Sequence, residues 1–393
     1  MPRNPDKVDY SGNFPKELSY FNELVDPRSS GYTKHHFGEV IFIAFVSIIC
    51  GIKSYELMEE FGDTNEEWFK KWISLPNGVP CFNTFSRILE ALCPKQFSSC
   101  IAHHLEETVG ALEFDQIAID GKALRGSATK TSSHLHMVSA WACDRGLTLG
   151  QKSVDEKSNE ITAIPELLEA LNLKGSVVTI DAMGTQKAIA EQIIEQEGEY
   201  ILSVKANQKS LLKELRDYFV SIAQQKSTID QESWESHGSK ERNRSRMEHR
   251  KTIVCNNLSW MSVEIREQWK GMKSVVLVER KRKDLDNNWT LESHFYISSL
   301  EAPNAEKMAH YIRSHWSIEN TCHWTLDVTF QEDKSKVRQE NATQNLSALR
   351  RIALNALREA KDFGRRKKPS SIAKKQLRAS HSHSYREHVL SLV

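Results

Sequence analysis

The chain has 393 residues, enough for two or three domains of ordinary size. With 39% hydrophobic residues, 27% charged residues and a formal net charge of +1, it has the composition of a globular protein, which excludes a disordered chain and a uniformly basic nucleic-acid binder. Its seven scattered cysteines contain no C-x-x-C pair, which argues against a disulfide framework or a cysteine-based zinc site and favours a reducing compartment.

Residues 1–110 are predicted to form a small all-helical domain. Their first residues lack the apolar stretch of a signal peptide, and the longest apolar run, VIFIAFVSIICGI (40–52), is shorter than the roughly 20 residues that span a bilayer. This run therefore predicts a buried helix, in a cytoplasmic protein without a membrane partner. Two roles remain open for the helical domain, DNA binding and packing or oligomerisation.

The pattern changes at residue 115, and residues 111–225 are predicted to form the first part of an α/β domain. Three strand-like segments come first, namely DQIAIDGKAL (115–124), LHMVSAWAC (135–143) and LTLGQKSV (147–154). Helices then alternate with two further strands, SVVTIDAMG (176–184) and EYILSVK (199–205). This order predicts a mixed sheet covered by helices, with antiparallel pairs first and parallel strands later.

Two of these strands are predicted to end in an aspartate, Asp120 after IAI and Asp181 after VVTI. The carboxyl ends of neighbouring parallel strands are where α/β sheets gather their functional sites. The alternative is that each aspartate only caps the turn or helix that follows its strand. Neither residue is specific alone, but together they indicate a site at this edge of the sheet.

Residues 226–302 are predicted to be a β-rich insertion, with strand-like segments KTIVCNNL (251–258), SVVLVERKRK (274–283) and WTLESHFYISSL (289–300). Helical periodicity returns over residues 303–362, the predicted second part of the α/β domain, and residues 363–393 are predicted to be a basic C-terminal tail. Positive charge is concentrated in residues 236–252 and 361–378. Each of these segments is either a solvated loop or a surface that contacts phosphate.

The stretch SHWSIENTCHWTLD (314–327) places a carboxylate among histidines and tryptophans. Read as one helix, it stacks four polar side chains on one side, those of His315, Glu319, His323 and Asp327. We expect Trp316 and Trp324 to be core or wall residues rather than platforms on which bases stack.

Glu319 would add a third carboxylate to Asp120 and Asp181. Carboxylate oxygens are ligands that Mg²⁺ and Mn²⁺ prefer, and two such ions about 4 Å apart can support an in-line displacement at a phosphodiester. The competing interpretation is a Zn²⁺ site made by His315, Glu319 and His323, although the H-E-x-x-H spacing is absent. The carboxylates therefore favour phosphoryl transfer on nucleic acid.

In combination, several segments resemble bacterial insertion-sequence transposases of the DDE type, most closely the H-repeat-associated group. The segments are IDGKALRGS (119–127), TIDAMGTQ (179–186), LSVKANQ (202–208) and HWSIENTCHWTLDVTFQED (315–333). Near the N-terminus, LPNGVPCFNTF (75–85) resembles the domain associated with that group. The resemblance covers nearly the whole chain.

The resemblance implies a ribonuclease H-like core in which Asp120, Asp181 and Glu319 are the catalytic, metal-binding triad, with a β insertion before the glutamate. It implies a bacterial transposase that cleaves DNA at the ends of a mobile element and transfers the strands to a target. The expected partner is double-stranded DNA of both the ends and the target, bound by a homodimer. Two alternatives stay open: a nuclease of the same fold without strand transfer, and an inactive DNA-binding descendant.

Related transposases surround the glutamate with Tyr, Arg and Lys, in the pattern Y-x-x-R-x-x-x-E followed by six residues and K. Here these three positions hold Ile312, His315 and Leu326. We therefore expect His315 and His323 to contact phosphate instead. Further DNA-contact candidates, for which an ordinary solvated surface is the alternative, are Lys122, Arg125, Lys205, Asn207 and Gln208.

Overall fold

The computed structural model describes most of the chain. The described residues are 24–28, 33–109, 115–128, 133–154, 159–224, 234–243, 246–283, 288–301, 304–362 and 369–392. Within these ranges, no helix combines the length and the apolar character that crossing a membrane requires.

The N-terminal part is helical, as predicted. Its helices are α1 (Phe37–Ile49), α2 (Tyr55–Thr64), α3 (Glu66–Phe69), α4 (Phe82–Ala91) and α5 (Pro94–Val109). Every residue of α1 is buried, which confirms that the longest apolar run is a buried helix. At its start, Glu39 accepts hydrogen bonds from the backbone amides of His36 and Leu75, so this buried carboxylate fixes the helix start to a distant loop.

The described strands form one mixed sheet. They are β1 (Gln116–Leu124), β2 (Leu135–Ala142), β3 (Leu147–Val154), β4 (Val177–Ile180), β5 (Glu199–Val204), β6 (Trp234–Asn243), β7 (Arg246–Cys255), β8 (Ser274–Lys283) and β9 (Trp289–Ser298). Their order across the sheet is β3-β2-β1-β4-β5-β9-β8-β7-β6. β1–β3 pair antiparallel, whereas β1, β4 and β5 are parallel neighbours, as predicted. These five strands form the ribonuclease H-like core.

Helices cover this sheet. They are α6 (Glu160–Glu169), α7 (Lys187–Glu195), α8 (Lys209–Gln224), α9 (Val263–Glu267), α10 (Ala305–His315), α11 (Trp324–Val328), α12 (Glu340–Glu359), α13 (Ile372–His381) and α14 (His383–Leu390). A π-helical turn (Ile318–His323) lies between α10 and α11.

Side-chain alternation along β1 shows how the two faces of the sheet are covered. Ile117 and Ile119 pack in a core with residues of α6, α7 and α8. Ala118, between them, packs in a second core that contains α1, α4, α12 and the π-helical turn. The N-terminal helices therefore share a core with the segment that carries Glu319. Because Asp120 continues the alternation of Ala118, its side chain lies on this second face.

The β-rich insertion extends the central sheet. β9 pairs antiparallel with β5, from Ile201↔Ser298 to Val204↔Phe295, and β8, β7 and β6 follow in order. The basic segment 236–252 lies in the paired strands β6 and β7, so the solvated-loop alternative is wrong for its described residues. The segment lacks apolar residues at alternate positions, and its strands are ordered by backbone pairing, β6 with β7 and β7 with β8.

The C-terminal segment, predicted as a basic tail, forms the two packed helices α13 and α14 where the structure describes it. Arg386 of α14 is fully buried, and its guanidinium carbon lies 4.6 Å from the ring centre of Trp68 and 5.1 Å from that of Phe61. The same group donates a 3.0 Å hydrogen bond to Asn65. The charge of this segment suggested exposure, but a planar guanidinium can also stack on aromatic rings in an interior.

Candidate active site

Asp120 and Asp181 lie side by side on neighbouring parallel strands. The last paired residues of β1 and β4 are Ile119 and Ile180, and each aspartate is the next residue. Parallel neighbours are about 4.8 Å apart, and alternation directs both side chains to the same face. β1 was predicted to end at Asp120, but it continues to Leu124, because it stays paired with β2 beyond the end of β4.

Asp181 caps the turn that follows β4, which was the alternative to a role in a functional site. Its Oδ1 accepts hydrogen bonds from the backbone amides of Met183, at 3.0 Å, and Gly184, at 3.4 Å. Its Oδ2 accepts no hydrogen bond from the described residues. One carboxylate oxygen therefore fixes the loop after β4, and the other is available to a ligand.

The stretch that carries Glu319 was predicted to be one continuous α-helix, but the structure shows that it is not. α10 ends at His315, the π-helical turn spans Ile318–His323, and α11 begins at Trp324. The wider turn breaks the expected column of polar side chains, so that His315 and His323 contact different strands. Such turns are rare and occur frequently at functional sites.

Buried apolar side chains hold the π-helical turn in place. Ile318 and Cys322 are fully buried in the core that also contains α1 and α12, whereas Glu319 is exposed. Trp316 and Trp324 were predicted to be core or wall residues. They are 48% and 58% exposed, so neither is a core residue, and Trp316 lines the wall of a groove. The inward positions of the turn are taken by the smaller residues.

The three predicted carboxylates act on one another electrostatically. Burial raises the pKa of Asp120 to about 8, and the negative charges of Glu319 and Asp181 contribute to this rise. At neutral pH and without a cation, Asp120 therefore holds a proton. A divalent cation at this position would favour the ionised form.

Glu160 is a fourth carboxylate at this site, which the sequence reasoning missed. It is the first residue of α6, and a Cβ on Gly121 would collide with its carboxylate, so it lies against the backbone next to Asp120. Burial, together with the charge of Asp181, raises the pKa of Glu160. The available signal was an acidic residue at the start of the helix that follows β3.

The two histidines of the stretch lie inside the site rather than on its surface. Nδ1 of His315 is 2.9 Å from Oγ1 of Thr179 on β4, and Nδ1 of His323 is 3.5 Å from Oδ2 of Asp120. Burial lowers the pKa of His315 to about 4 and, with the charges of Arg351 and Lys122, that of His323 to about 3. Both rings are neutral at pH 7, which argues against the predicted phosphate contacts.

Lys122 was predicted to contact DNA, but its side chain is buried and paired with carboxylates. Its Nζ lies 2.7 Å from Asp327, 3.1 Å from Asp333 and 3.4 Å from Glu332. Burial would lower the pKa of Lys122, but these carboxylates raise it. No local pattern predicts these contacts, because the three partners lie about two hundred positions further along the chain.

The other predicted DNA contacts divide into exposed cations and loop-fixing amides. Arg125 and Lys205 are exposed beyond Asp120 and β5 and remain candidates. The side-chain amide of Asn207 donates to the carbonyl oxygen of Ala182 at 2.6 Å, and that of Gln208 donates to Thr185 at 2.9 Å. These two amides fix the loop that follows Asp181.

The donor chemistry of the site fits a hard divalent cation. Carboxylate oxygens are what Mg²⁺ and Mn²⁺ prefer, and Glu319, Asp181 and Glu160 lie near enough to Asp120 to act on it electrostatically. In the part of the chain that the structure describes, no three Asp, Glu, His or Cys side chains are close enough to hold one ion as they stand. The Zn²⁺ alternative loses its support, because His315 and His323 contact β4 and β1 separately.

Comparison with known proteins gives matches over both halves of the chain. The sequence family described as "Transposase DDE domain" matches residues 113–356, and the one described as "DDE_Tnp_1-associated" matches residues 18–105. The chain is 36% identical over 363 residues to "Putative transposase YncI" of Escherichia coli O157:H7, covering 91% of each protein. It is 33% identical over 386 residues to "H repeat-associated putative transposase YhhI" of Escherichia coli (strain K12), covering 96% of this chain and 98% of the relative.

Proposed function

Because this chain belongs to the DDE transposase family, we propose that it cleaves DNA at the ends of an insertion sequence and joins the freed 3′ ends to target DNA. The observation that carries this activity is the convergence of Asp120, Asp181 and Glu319, close enough for their charges to raise the pKa of Asp120. Carboxylates gathered from two strands and a helix suit metal-assisted phosphodiester chemistry.

Asp120, Asp181 and Glu319 would hold two Mg²⁺ or Mn²⁺ ions, which activate the attacking oxygen and stabilise the leaving oxygen when bound. The neutral ring of His323, 3.5 Å from Asp120, would orient that carboxylate. The backbone amides that bind Oδ1 of Asp181 would orient the second one. The catalytic core would then consist of residues 111–225 and 303–362.

The two reaction steps make the same demand on these residues. In cleavage, water attacks the phosphorus atom at the element boundary, and the 3′ oxygen leaves and takes up a proton. In strand transfer, the freed 3′-hydroxyl attacks a phosphodiester of the target and gives up its proton, while a target 3′ oxygen leaves. Both are in-line displacements, so one set of carboxylates would serve both.

Double-stranded DNA would approach the exposed side of this site. Arg125 and Lys205, exposed on the two loops that flank the aspartates, would contact its phosphates. Two element ends must be held together for transposition, so we propose that a homodimer is the active assembly.

The experiment is cleavage of a labelled duplex that carries an element end and its flanking DNA, in Mg²⁺. We expect a nick at the element boundary with the wild type and none with Glu319→Gln. Glu67→Gln, which neutralises a 90% exposed carboxylate on α3, should cleave like the wild type. Equal nicking by Glu319→Gln would contradict the proposed site.

A target plasmid added to the same reaction separates the alternatives. Joined products establish transposition, whereas nicked ends that never join the plasmid would indicate a nuclease without strand transfer. Binding of the duplex without any nick by the wild type would indicate an inactive DNA-binding descendant.

A further inference from the structure

A charged groove lies between the insertion and α10, and it ends at Glu319. One wall is the outer part of β6–β9 and the other is α10, and together they enclose about 530 Å³. The groove is lined by three arginines, Arg250, Arg280 and Arg313, and by three histidines, His237, His294 and His310. Glu319 and Asn320 also line the groove, which therefore reaches the candidate active site.

Two of these arginines converge on one carboxylate from different elements. Arg250 of β7 lies 3.3 Å from Glu241 of β6, and Arg313 of α10 lies 2.8 Å from the same carboxylate. Glu241 is 45% exposed, so its side chain can swing away into solvent. An exposed ion pair of this kind holds its partners only weakly.

Arg250 is held in position independently of Glu241. Its guanidinium also pairs with Glu248, which is only 17% exposed and binds Arg280 at 2.9 Å as well. Losing Glu241 would therefore leave Arg250 fixed and aimed into the groove. Arg313, 52% exposed, would face it from the opposite wall.

The charge of the groove depends on Glu241. Glu248 already pairs with Arg250 and Arg280, and Glu241 is the carboxylate that pairs with Arg313 across the groove. Displacement of Glu241 leaves an excess of positive charge between Arg250 and Arg313. A phosphodiester carries the same single negative charge as Glu241 and offers two oxygens that guanidinium groups bind well.

We propose that this groove binds the DNA backbone beside the cleaved bond, and that Arg250 and Arg313 hold one phosphate in the place of the Glu241 carboxylate. This inference rests on the proposed function, since DNA is expected here because the groove meets Glu319. It assigns a DNA-binding role to the insertion, and it makes Glu241 a competitor of the DNA phosphate for Arg250 and Arg313.

The test is the affinity for a labelled duplex that carries an element end, measured by fluorescence anisotropy in EDTA, where no cleavage is needed. Arg313→Gln and Arg250→Gln should each weaken binding about tenfold and reduce the slope of log affinity against log salt by about one. Glu241→Gln should strengthen binding by roughly threefold or more, because it removes the competing anion. Lys174→Gln and Glu197→Gln, which break an exposed ion pair beyond the opposite ends of β4 and β5, should bind like the wild type.

The opposite sign of Glu241→Gln separates DNA binding from a merely structural bridge. If the bridge only joined the insertion to α10, Glu241→Gln would weaken binding as the arginine variants do, and the inference would be overturned. Unchanged affinity of Arg313→Gln, which changes a 52% exposed side chain, would also overturn it. If the variants gave those results while the wild type still nicked the duplex in Mg²⁺, the proposed function would stand. A wild type that neither binds nor nicks the duplex would overturn both.

Discussion

The ammonium group of Lys122 lies 2.7 Å from the carboxylate of Asp327 and thereby joins β1, two residues after Asp120, to α11, just after the turn that carries Glu319. The same ammonium contacts Glu332. Glu332 in turn faces two arginines of α12, Arg350 at 3.8 Å and Arg351 at 3.4 Å. This buried ionic network connects the strand and the helical segment that supply two of the three candidate catalytic carboxylates.

Replacing Lys122 with methionine should destabilise the protein strongly. The variant leaves the buried Glu332, 1% exposed, without one of its cations and leaves Asp327 without its closest partner. Breaking a buried ion pair in this way costs about 3–5 kcal/mol. The measurement is the free energy of unfolding in urea. The matched variant Lys174→Met breaks an exposed pair with Glu197 and should change this free energy by about 1 kcal/mol or less. Equal effects of the two variants would contradict a structural role for the network.

Protonation of Glu332 should lower the free energy of unfolding in acid. Burial would raise its pKa, but the charges of Arg351, Arg350 and Lys122 lower it to about 2. Its ionised form is thus favoured in the folded state, and the stabilisation is present above the unfolded pKa of about 4.5 and is lost as the pH falls toward 2. Glu332→Gln should be less stable than the wild type at pH 7, and the difference should shrink between pH 4.5 and pH 2. Urea unfolding across this range checks it, and a constant difference would contradict the assignment.

The sequence predicted those parts of the fold that depend on local pattern. The strands before Asp120 and Asp181 are short apolar runs, and their neighbouring positions follow from the order of strands and helices. The partners of Lys122 could not be predicted, because Asp327, Glu332 and Asp333 meet it only after the chain has folded around the sheet.

The π-helical turn was missed for a related reason. Residues 314–327 have an ordinary helical pattern, and the wider turn arises where Ile318 and Cys322 enter the core beside α1 and α12. Likewise, β6 has few apolar residues, and its strand conformation depends on pairing with β7. In each case a tertiary contact decides the local structure, which a single sequence does not reveal.

Two glycines of the IDGKALRGS segment should respond differently to alanine. A Cβ on Gly126 would lie 2.9 Å from the carbonyl oxygen of Asp333 and closer still to that of Ser335, and backbone atoms cannot easily move away. A Cβ on Gly121 would instead meet the carboxylate of Glu160, the end of a flexible side chain. We expect Gly126→Ala to lower the free energy of unfolding by about 1–3 kcal/mol and Gly121→Ala to lower it much less. Urea unfolding of the pair measures this, and a larger loss for Gly121→Ala would contradict the packing described.

Binding of a divalent cation should release a proton at neutral pH. Burial and the charges of Glu319 and Asp181 raise the pKa of Asp120 to about 8, so at pH 7 this carboxyl is mostly protonated. Because a carboxyl group must be ionised to coordinate a cation, Asp120 should release this proton when the cation binds. Titration calorimetry with Mn²⁺ in two buffers of different protonation enthalpy should give close to one proton released per protein. Asp120→Asn should bind the cation more weakly and release almost none. Glu67→Gln, whose carboxylate is exposed on α3, should match the wild type in both respects. Proton release that is the same in the wild type and in Asp120→Asn would show that the cation binds elsewhere.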